Sequence, residues 1–339
     1  MSDTKLPVCI GEGVARAGFT SYTTPTGHIC TMRGTRGMPL EFLSLGDYGQ
    51  QQNIKADFLG LSRELNGVLH GELLSLEKKW VITISSQYGC SMGCKFCDVP
   101  KVGHGINATT IDMLVQVYNA LSLHPEVKRA ERINVHFARM GEPTFNLDVL
   151  GAARVLHEYF MSCHWGYHPV VSTMMPKQNA LLDMFLSRWL VFKNQTLDGR
   201  AGLQVSINTT DAGARERTMP MSMSLEDISH MLTQIIAIQG VYGRKIALNF
   251  ALTDAPIDAV RLRKLFNPKN FMCKITPMHN TTTAVANGLI THGGYDSYYP
   301  YQKVEQDLKE QGFDVLVFVP SKEEDESMIT CGNAILSQI

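Results

Sequence analysis

Long apolar runs are missing from this sequence, in which nowhere do about 18 apolar residues follow one another as a membrane helix requires. The opening residues, MSDTKLPVCIGEGV, also lack the basic segment and apolar run of a secretory signal peptide. We therefore expect a protein of the cytoplasm that has no membrane partner.

The sequence also lacks an excess of positive or negative charge. It has 31 Lys and Arg residues and 32 Asp and Glu residues, which give a formal net charge of −1. The chain has no overall basic character of the kind that drives nucleic-acid binding, although a local basic patch is compatible with a neutral total. Charge therefore neither supports nor excludes RNA as a partner. With 339 residues, the chain can bury a core that needs neither disulfides nor oligomerisation.

Glycines and prolines without a sustained apolar period mark residues 1–38, which we interpret as an irregular leader. Short strand-like pieces follow between Pro39 and Lys79, among them Leu40-Glu41-Phe42-Leu43, and predict a small antiparallel appendage. These pieces and the leader make an N-terminal segment of residues 1–75. A larger unit, residues 76–285, and a C-terminal extension, residues 286–339, complete the predicted organisation.

Short β-branched runs alternate with amphipathic helices after Trp80, a pattern typical of βα units around a parallel sheet. The predicted strands are Val81–Ser86, Ile133–Phe137, Pro169–Ser172, Leu203–Ile207, Ile246–Ala251 and Met272–Ile275. Six such units predict an α/β fold, an incomplete (β/α)6 barrel. In the first helix, Thr109 and Asp112 are placed to cap the start and Ile111 belongs to the apolar face.

The predicted C-terminal extension has elements of its own. We expect a helix near Pro300–Gln311 and a strand at Val315–Val319. The acidic run Glu323-Glu324-Asp325-Glu326 is interpreted as a solvated turn.

Three of the eight cysteines are crowded into Cys90-Ser-Met-Gly-Cys94-Lys-Phe-Cys97, which suits metal binding in a reducing compartment better than a disulfide framework. The stretch follows the first predicted strand, at the end where barrel enzymes place their chemistry. Three thiolates on one loop can hold three irons of a four-iron four-sulfur cluster and leave the fourth iron open to a chelating cofactor. The alternatives are a zinc loop with Cys163 or His104 as fourth ligand, or three buried thiols.

This loop resembles that of the radical S-adenosylmethionine (SAM) superfamily, whose C-x-x-x-C-x-x-C spacing it matches without departure. Phe96 agrees, because the residue before the third cysteine is usually aromatic in that superfamily and packs near the cofactor adenine. The tripeptide Gly141-Glu142-Pro143, after the strand INVHFA, lies where the superfamily binds the cofactor's amino group. The resemblance implies a four-iron four-sulfur cluster and SAM as cofactors, and a one-electron donor such as flavodoxin or ferredoxin.

The residues around these motifs are similar to those of one branch, the RlmN/Cfr methyltransferases, which methylate an adenine carbon of ribosomal RNA and in some cases of transfer RNA. The matching segments are Ser85–Cys90, Lys95–Cys97, Met140–Pro143 with Asn146, Val171–Thr173, Ser206–Asn208 and Cys331–Asn333. The similarity extends from about residue 76 to residue 335.

Several site residues are implied by this resemblance. Glu142, Ser172, Ser206 and Asn208 would line the cofactor site, with Asn208 in place of a common histidine. The cofactor sugar would be contacted by His279 or Asn280, between which the sequence leaves the choice open. Cys331 would be the thiol that is methylated before the methylene group reaches the substrate.

Two departures separate the chain from that branch. In the methyltransferases a second essential cysteine lies seven residues before the first cluster ligand, where this chain has Thr83. A threonine hydroxyl is too weak an acid for thiolate chemistry, so Cys9, Cys30, Cys163 or Cys273 would have to replace it. A short Gly-rich segment also stands where the family has a helical RNA-contacting domain. An enzyme acting on a nucleotide, peptide or small metabolite, and a non-catalytic cluster protein that senses redox state or binds SAM, therefore stay open.

Overall fold

Three antiparallel strands begin the main sheet in the computed structural model, which describes residues 18–47, 64–65, 68–69, 73–292, 294, 298–320, 322–330 and 335–336. They are β1 (Phe19–Thr24), β2 (Gly27–Arg33) and β3 (Pro39–Leu45), paired in that order. The two-residue strands β4 (Glu64–Leu65) and β5 (Val68–Leu69) pair with each other in a separate sheet.

A large parallel sheet continues from β3. Its first strand, β6 (Trp80–Ile84), pairs antiparallel with β3 and is followed by a ribbon of β7 (Gln87–Gly89) and β8 (His104–Asn107). The further parallel strands are β9 (Ile133–Phe137), β10 (Tyr167–Thr173), β11 (Gly202–Ser206), β12 (Ile246–Leu252), β13 (Phe271–Pro277) and β14 (Asp314–Val317). The ten-stranded sheet has the order β1-β2-β3-β6-β9-β10-β11-β12-β13-β14.

Helices connect the parallel strands. They are α1 (Thr110–Ser122), α2 (Asp148–Ser162), α3 (Leu182–Val191), α4 (Ala212–Thr218), α5 (Leu225–Gln239), α6 (Ala259–Leu265), α7 (Thr282–Ala286), α8 (Tyr299–Glu310) and α9 (Lys322–Glu326). Short 3-10 turns occupy Val99–Lys101 and Pro143–Phe145, and a π-helical turn, Phe192–Thr196, extends α3. Among the helices in the described part of the chain, none is both long and apolar enough to cross a membrane.

The predicted parallel strands and the predicted C-terminal helix and strand are confirmed, each within two residues of its expected bounds. The capping box of α1 is confirmed as well, because the Thr109 hydroxyl accepts from the Asp112 amide and the Asp112 carboxylate accepts from the Thr109 amide. Ile111 is 42% exposed and lies off the buried stripe of α1. An α/β fold with a large parallel sheet is therefore what the chain adopts.

Residues 19–33 correct the expectation of an irregular leader, because they form the β1–β2 hairpin. The middle of β1 is exposed, so its sequence FTSYTT lacks the apolar alternation by which a strand is recognised. Strand β3 joins β6, so the expected appendage is part of the main sheet. The domain boundaries at residues 75 and 285 stay predictions.

Side chains alternate between the two faces of the sheet. One face packs under the helices, as Trp80, Ile82 and Ile84 do in β6, where they are fully buried. The other face, which we name the inner face, carries half-buried side chains on six successive parallel strands. They are Thr83, His136, Ser172, Gln204, Asn249 and Lys274.

Candidate functional site

The cysteine loop begins at the point where the backbones of the β7–β8 ribbon approach each other closely. The amide of Cys90 donates to the carbonyl of Gly103 at 3.0 Å, and the amide of Cys97 donates to the carbonyl of Cys94 at 3.2 Å. Gly89 has φ +75°, and a Cβ there would lie 2.1 Å from the Gly103 carbonyl oxygen. The backbone therefore forms a tight turn, and the three cysteines lie within it.

The three thiols of the loop lie close enough to influence one another. Burial raises the pKa of Cys90 to about 11 and that of Cys97 to about 12. The pKa of Cys94 is raised first by burial and then by the charges of Cys97 and Cys90. Without a cation the thiols are protonated, and bound metal ions would supply the positive charge that makes them thiolates.

The kinds of side chain available as ligands distinguish an iron–sulfur cluster from a zinc site. The described residues contain no group of three or more His, Cys, Asp and Glu side chains already arranged around a metal position. His104, a possible fourth zinc ligand, is exposed on β8, and Cys163 follows α2 at the opposite end of the strands, because α2 leads back from β9 to the start of β10. Three thiols on one loop fit a cluster with an open iron better than a closed zinc site.

Hydrogen bonds join the cysteine loop to the segment after β13. The Asp98 carboxylate accepts from the amides of Thr282 and Thr283, each at 3.0 Å, and from Lys101 Nζ at 2.6 Å. The Phe96 carbonyl accepts from the Thr281 hydroxyl at 2.7 Å. These hydrogen bonds hold the cysteine loop against the segment that follows β13, at the carboxyl ends of the strands.

Gly141 allows the chain after β9 to pass close to β7. Its φ is +96°, and a Cβ on it would lie 2.5 Å from Cβ of Gln87. The next residue is held by the same neighbour, since the Glu142 amide donates to Gln87 Oε1 at 2.8 Å. A glycine is required here both by its backbone angle and by the contact.

Replacing Gly141 by Ala is expected to destabilise the fold by about 2–3 kcal/mol, through the positive φ and the overlap with Gln87. Gly37→Ala is the matched control, because Gly37 has φ +72° and open space around the position of a Cβ. The control carries only the backbone cost, about 1 kcal/mol. Urea denaturation of both variants measures the difference, and equal losses would contradict the close approach.

Glu142 is buried at the centre of this edge, 1% exposed. Its Oε2 accepts from the Met174 amide at 2.8 Å, and its Oε1 accepts from the amide and the hydroxyl of Thr144 at 3.1 and 2.7 Å. Burial raises its pKa, against the opposing effect of these hydrogen bonds. Its charge also raises the pKa of Cys90 and Cys94, so the carboxylate lies within electrostatic range of these two thiols.

The other predicted cofactor residues of the central strands lie at the same edge. Ser172 is near the end of β10 on the inner face, where its hydroxyl donates to Gln204 Oε1 at 3.3 Å. Ser206 ends β11. Asn208 follows it with φ 61°, and its Oδ1 accepts from the Ala251 amide at 3.0 Å. Both strand ends are thus held in register beside the cysteine loop.

His279 and Asn280 follow β13 and are both held by Asp325. His279 Nδ1 lies 2.9 Å from Asp325 Oδ1, and the Asn280 amide donates to Asp325 Oδ2 at 3.1 Å. The acidic run is therefore not the solvated turn expected from the sequence. It forms α9, because the loop after β13 and the Thr330 hydroxyl present donors to a buried carboxylate.

Cys331 lies outside the described residues, but the described residues before and after it are bound to the sheet. Arg139, just after β9, donates to the carbonyls of Met328 and Ile329 at 2.8 and 3.3 Å. Arg139 also forms a buried ion pair with Glu41 of β3. The second oxygen of Glu41 accepts from the Ile335 amide at 3.2 Å. One buried pair therefore contacts the chain on both sides of residue 331.

Thr83 lies on the inner face of β6, opposite Leu43 of β3 and His136 of β9. Leu43 packs against Ile329, so the C-terminal segment passes close to Thr83. Among the described residues, the thiols proposed to replace the missing cysteine do not share this face. Cys30 and Cys273 are fully buried on the opposite face, Cys163 follows α2, and Cys9 lies outside the described residues.

Sequence reasoning missed Arg215, which lies at the centre of the edge. Its Nε donates to the Met223 carbonyl at 3.0 Å, and its Nη1 donates to the carbonyls of Ser206 and Ile207 at 3.1 and 2.7 Å. Its Nη2 is buried without a hydrogen-bond partner among the described residues. Burial lowers its pKa to about 10, against the opposing charge of Cys94. Its only sequence signal, an arginine on an amphipathic helix, is too common to identify a site.

Comparison with known proteins extends over much of the chain, although no family model matches it. The dual-specificity RNA methyltransferase RlmN of Helicobacter hepaticus is 25% identical over 66% of this chain and 61% of its own length. A probable RlmN of Chlorobaculum tepidum is 28% identical over 66% and 57%, and that of Sulfurimonas denitrificans 37% over 47% and 40%. The chain thus spans less than two thirds of the length of these relatives.

A solved structure shares the fold. The crystal structure of a radical SAM methyltransferase from Sphaerobacter thermophilus superposes with a TM-score of 0.63, at 20% identity, over 93% of this chain and 82% of that one. The relatives add sequence similarity to this likeness of fold, and the cysteine loop and Glu142 lie together at one edge of the sheet. The chain is therefore similar in sequence to RlmN RNA methyltransferases and shares the fold of a radical SAM methyltransferase.

Proposed function

We propose that this protein is a radical SAM enzyme that holds a four-iron four-sulfur cluster on Cys90, Cys94 and Cys97 and methylates an adenine of ribosomal or transfer RNA. The observation that carries the proposal is the buried Glu142 carboxylate, whose charge acts on Cys90 and Cys94, two of the three thiols of one loop. The printed names of the relatives, dual-specificity RNA methyltransferases, support RNA as the substrate class.

The residues around the loop suit a cofactor with an amino group and a carboxylate. The cluster, when bound, supplies the electron that breaks a carbon–sulfur bond of SAM. Each oxygen of Glu142 already accepts from the backbone, and the remaining lone pairs can accept from the cofactor's ammonium group. The further proposed cofactor contacts are Phe96, Gly141, Ser172, Ser206, Asn208, His279 and Asn280.

The proposed catalytic thiol is Cys331. Support comes from the chain around it, because Arg139, which binds the carbonyls of Met328 and Ile329, is two residues from Gly141. Thr330 is bound by Asp325, the residue that also holds His279. Residue 330 is therefore held near the cofactor edge, and we propose that the next residue, Cys331, accepts the cofactor's methyl group.

A second candidate function is favoured by one observation. In the family, the second cysteine releases a covalent product. The described part of this chain has no thiol on the inner face beside Thr83 that could replace it. An enzyme that acts on a nucleotide, a peptide or a small metabolite without that release step accounts for the threonine. RNA stays the leading substrate because of the relatives' names.

The test is mass spectrometry of the anaerobically purified, cluster-loaded protein after incubation with SAM. We expect a methyl group on the peptide that contains Cys331, and none on Cys163, the control thiol. With RNA added, the unaltered protein is expected to accumulate a protein–RNA adduct, which Thr83→Cys releases. An unmodified Cys331 in protein that cleaves SAM would refute the methyltransferase, and a methylated Cys331 without transfer to RNA would favour the second candidate.

The remaining parts of the proposal concern architecture and setting. We propose that the six parallel strands β6 and β9 to β13, with their helices, form the incomplete (β/α)6 barrel of the superfamily, between residues 76 and 285. Flavodoxin or ferredoxin is the proposed one-electron donor, and the cytoplasm is the proposed location.

A further inference from the structure

Two arginines lie at the amino-terminal edge of the parallel sheet, the edge opposite the candidate site. Arg132 immediately precedes β9, and Arg244 lies two residues before the start of β12. Between these strands are β10, whose second residue is His168, and β11, which begins with Gly202. We name Arg132 and Arg244 the arginine pair.

The guanidinium groups of the arginine pair approach His168 from two sides of the inner face. Arg132 Nε donates to Asn134 Oδ1 at 2.9 Å, and Asn134 pairs with His168 across the neighbouring strands. On the other side, Arg244 Nη1 lies 3.1 Å from the position that a Cβ of Gly202 would occupy. Glycine at this position therefore leaves the space that the guanidinium fills.

The arginine pair is poorly neutralised by the protein. Among the described residues, neither guanidinium forms an ion pair, and the hydrogen-bonding partners are the amide oxygen of Asn134 and the carbonyl of Arg200, the latter 3.3 Å from Arg244 Nη1. The carboxylate whose charge acts on Arg132, Asp47, already pairs with Lys79 at 3.0 Å. His168 Nδ1 is buried and has no hydrogen-bond partner among the described residues.

The electrostatic consequences agree with this geometry. Burial, and after it the charge of Arg132, lower the pKa of Arg244 to about 10. Burial and the charges of Arg132, Arg244 and Arg200 lower the pKa of His168 to about 4. Arginine does not deprotonate in proteins, so these half-buried charges repel each other unless an anion lies between them.

We propose that the arginine pair and His168 form a binding site for a small phosphate-class oxyanion, either free phosphate or a phosphomonoester. Guanidinium groups bind phosphate through two parallel hydrogen bonds, a geometry that ammonium groups cannot offer. Arg132, His168 and Arg244 are half-buried at the strand ends, so each stays partly accessible to an anion from solvent. The site is at the opposite edge from the cysteine loop and does not depend on the proposed function.

The test compares thermal unfolding and calorimetric titration of the full chain in inorganic phosphate and in sodium chloride of equal ionic strength. We expect phosphate to raise the melting temperature beyond the effect of chloride. Phosphate affinity should fall at least tenfold in Arg132→Gln and in Arg244→Gln, and stay unchanged in Arg129→Gln, an exposed arginine three residues before Arg132. Without phosphate, Arg244→Gln is expected to be at least as stable as the unaltered protein, because it removes a repulsion.

A titration with adenosine monophosphate distinguishes the two sources of the anion. Tighter binding than that of phosphate, lost in Arg244→Gln, identifies a phosphomonoester site, whereas binding of phosphate alone identifies a site for the free ion. The proposal is overturned if phosphate and chloride have equal effects on the unaltered protein, or if the phosphate effect survives in both arginine variants.

Discussion

The Cys94→Ala variant, purified without oxygen, is expected to be colourless and to cleave no SAM above the rate without enzyme. Cys94 is buried, and the charges of both other thiols of the loop act on it. With only two thiolates left, a cubane cluster loses a ligand to one of its three protein-bound irons. The same outcome is expected for Cys90→Ala and Cys97→Ala.

Iron and sulfide content, visible absorbance and chromatographic measurement of SAM cleavage report the result. Cys163→Ala is the matched control, because it removes a half-buried cysteine at the opposite end of the strands and leaves the loop intact. The control should be as brown and as active as the unaltered protein. A brown, active Cys94→Ala protein, or unaltered protein that binds zinc and no iron under iron-replete conditions, would contradict the cluster assignment.

The Arg139→Met variant is expected to lose about 3–5 kcal/mol of unfolding free energy. The guanidinium and its partner Glu41 are almost completely inaccessible, with side chains 3% and 0% exposed. Removing the arginine leaves the Glu41 carboxylate buried without a countercharge and deprives the carbonyls of Met328 and Ile329 of a donor.

Two further variants separate the contributions. The double variant Glu41→Leu/Arg139→Met has no isolated buried charge, so much of the lost unfolding free energy should return. Its C-terminal segment should stay undocked, because the carbonyls of Met328 and Ile329 still lack a donor. Arg261→Met is the control for an exposed pair, Arg261 with Glu226, and should cost about 1 kcal/mol or less. Chemical denaturation measures the losses, and hydrogen exchange of residues 325–330 measures docking. Equal losses in Arg139→Met and Arg261→Met would refute the role of the buried pair.

Docking of the C-terminal segment also has a functional consequence that rests on the proposed function. If the Glu41–Arg139 pair positions Cys331, the double variant should still cleave SAM while methylation of Cys331 falls. Loss of both together would instead indicate general damage to the cofactor edge.

Local patterns determined a large part of this protein. The parallel strands and the capping box of α1 could be predicted, because strand alternation and helix capping involve neighbours within a few residues. The cysteine loop could be predicted for the same reason, since its three thiols lie within eight residues. The position of Glu142 beside that loop also followed, because parallel strands bring their carboxyl ends to one edge.

Which distant residues meet depends on how the sheet assembles. Glu41 and Arg139 are 98 positions apart, and the amide of Ile335 that binds the same carboxylate is 294 positions from Glu41. An arginine or an acidic run carries no local sign of its partner, which is why Glu323–Glu326 was interpreted as a turn and the arginine pair was not foreseen. The elements and the thiol loop follow from short-range periodicity and spacing along the chain. The assembled sheet decided which charges are buried, because burial and pairing depend on strand order and on contacts between residues far apart in the chain.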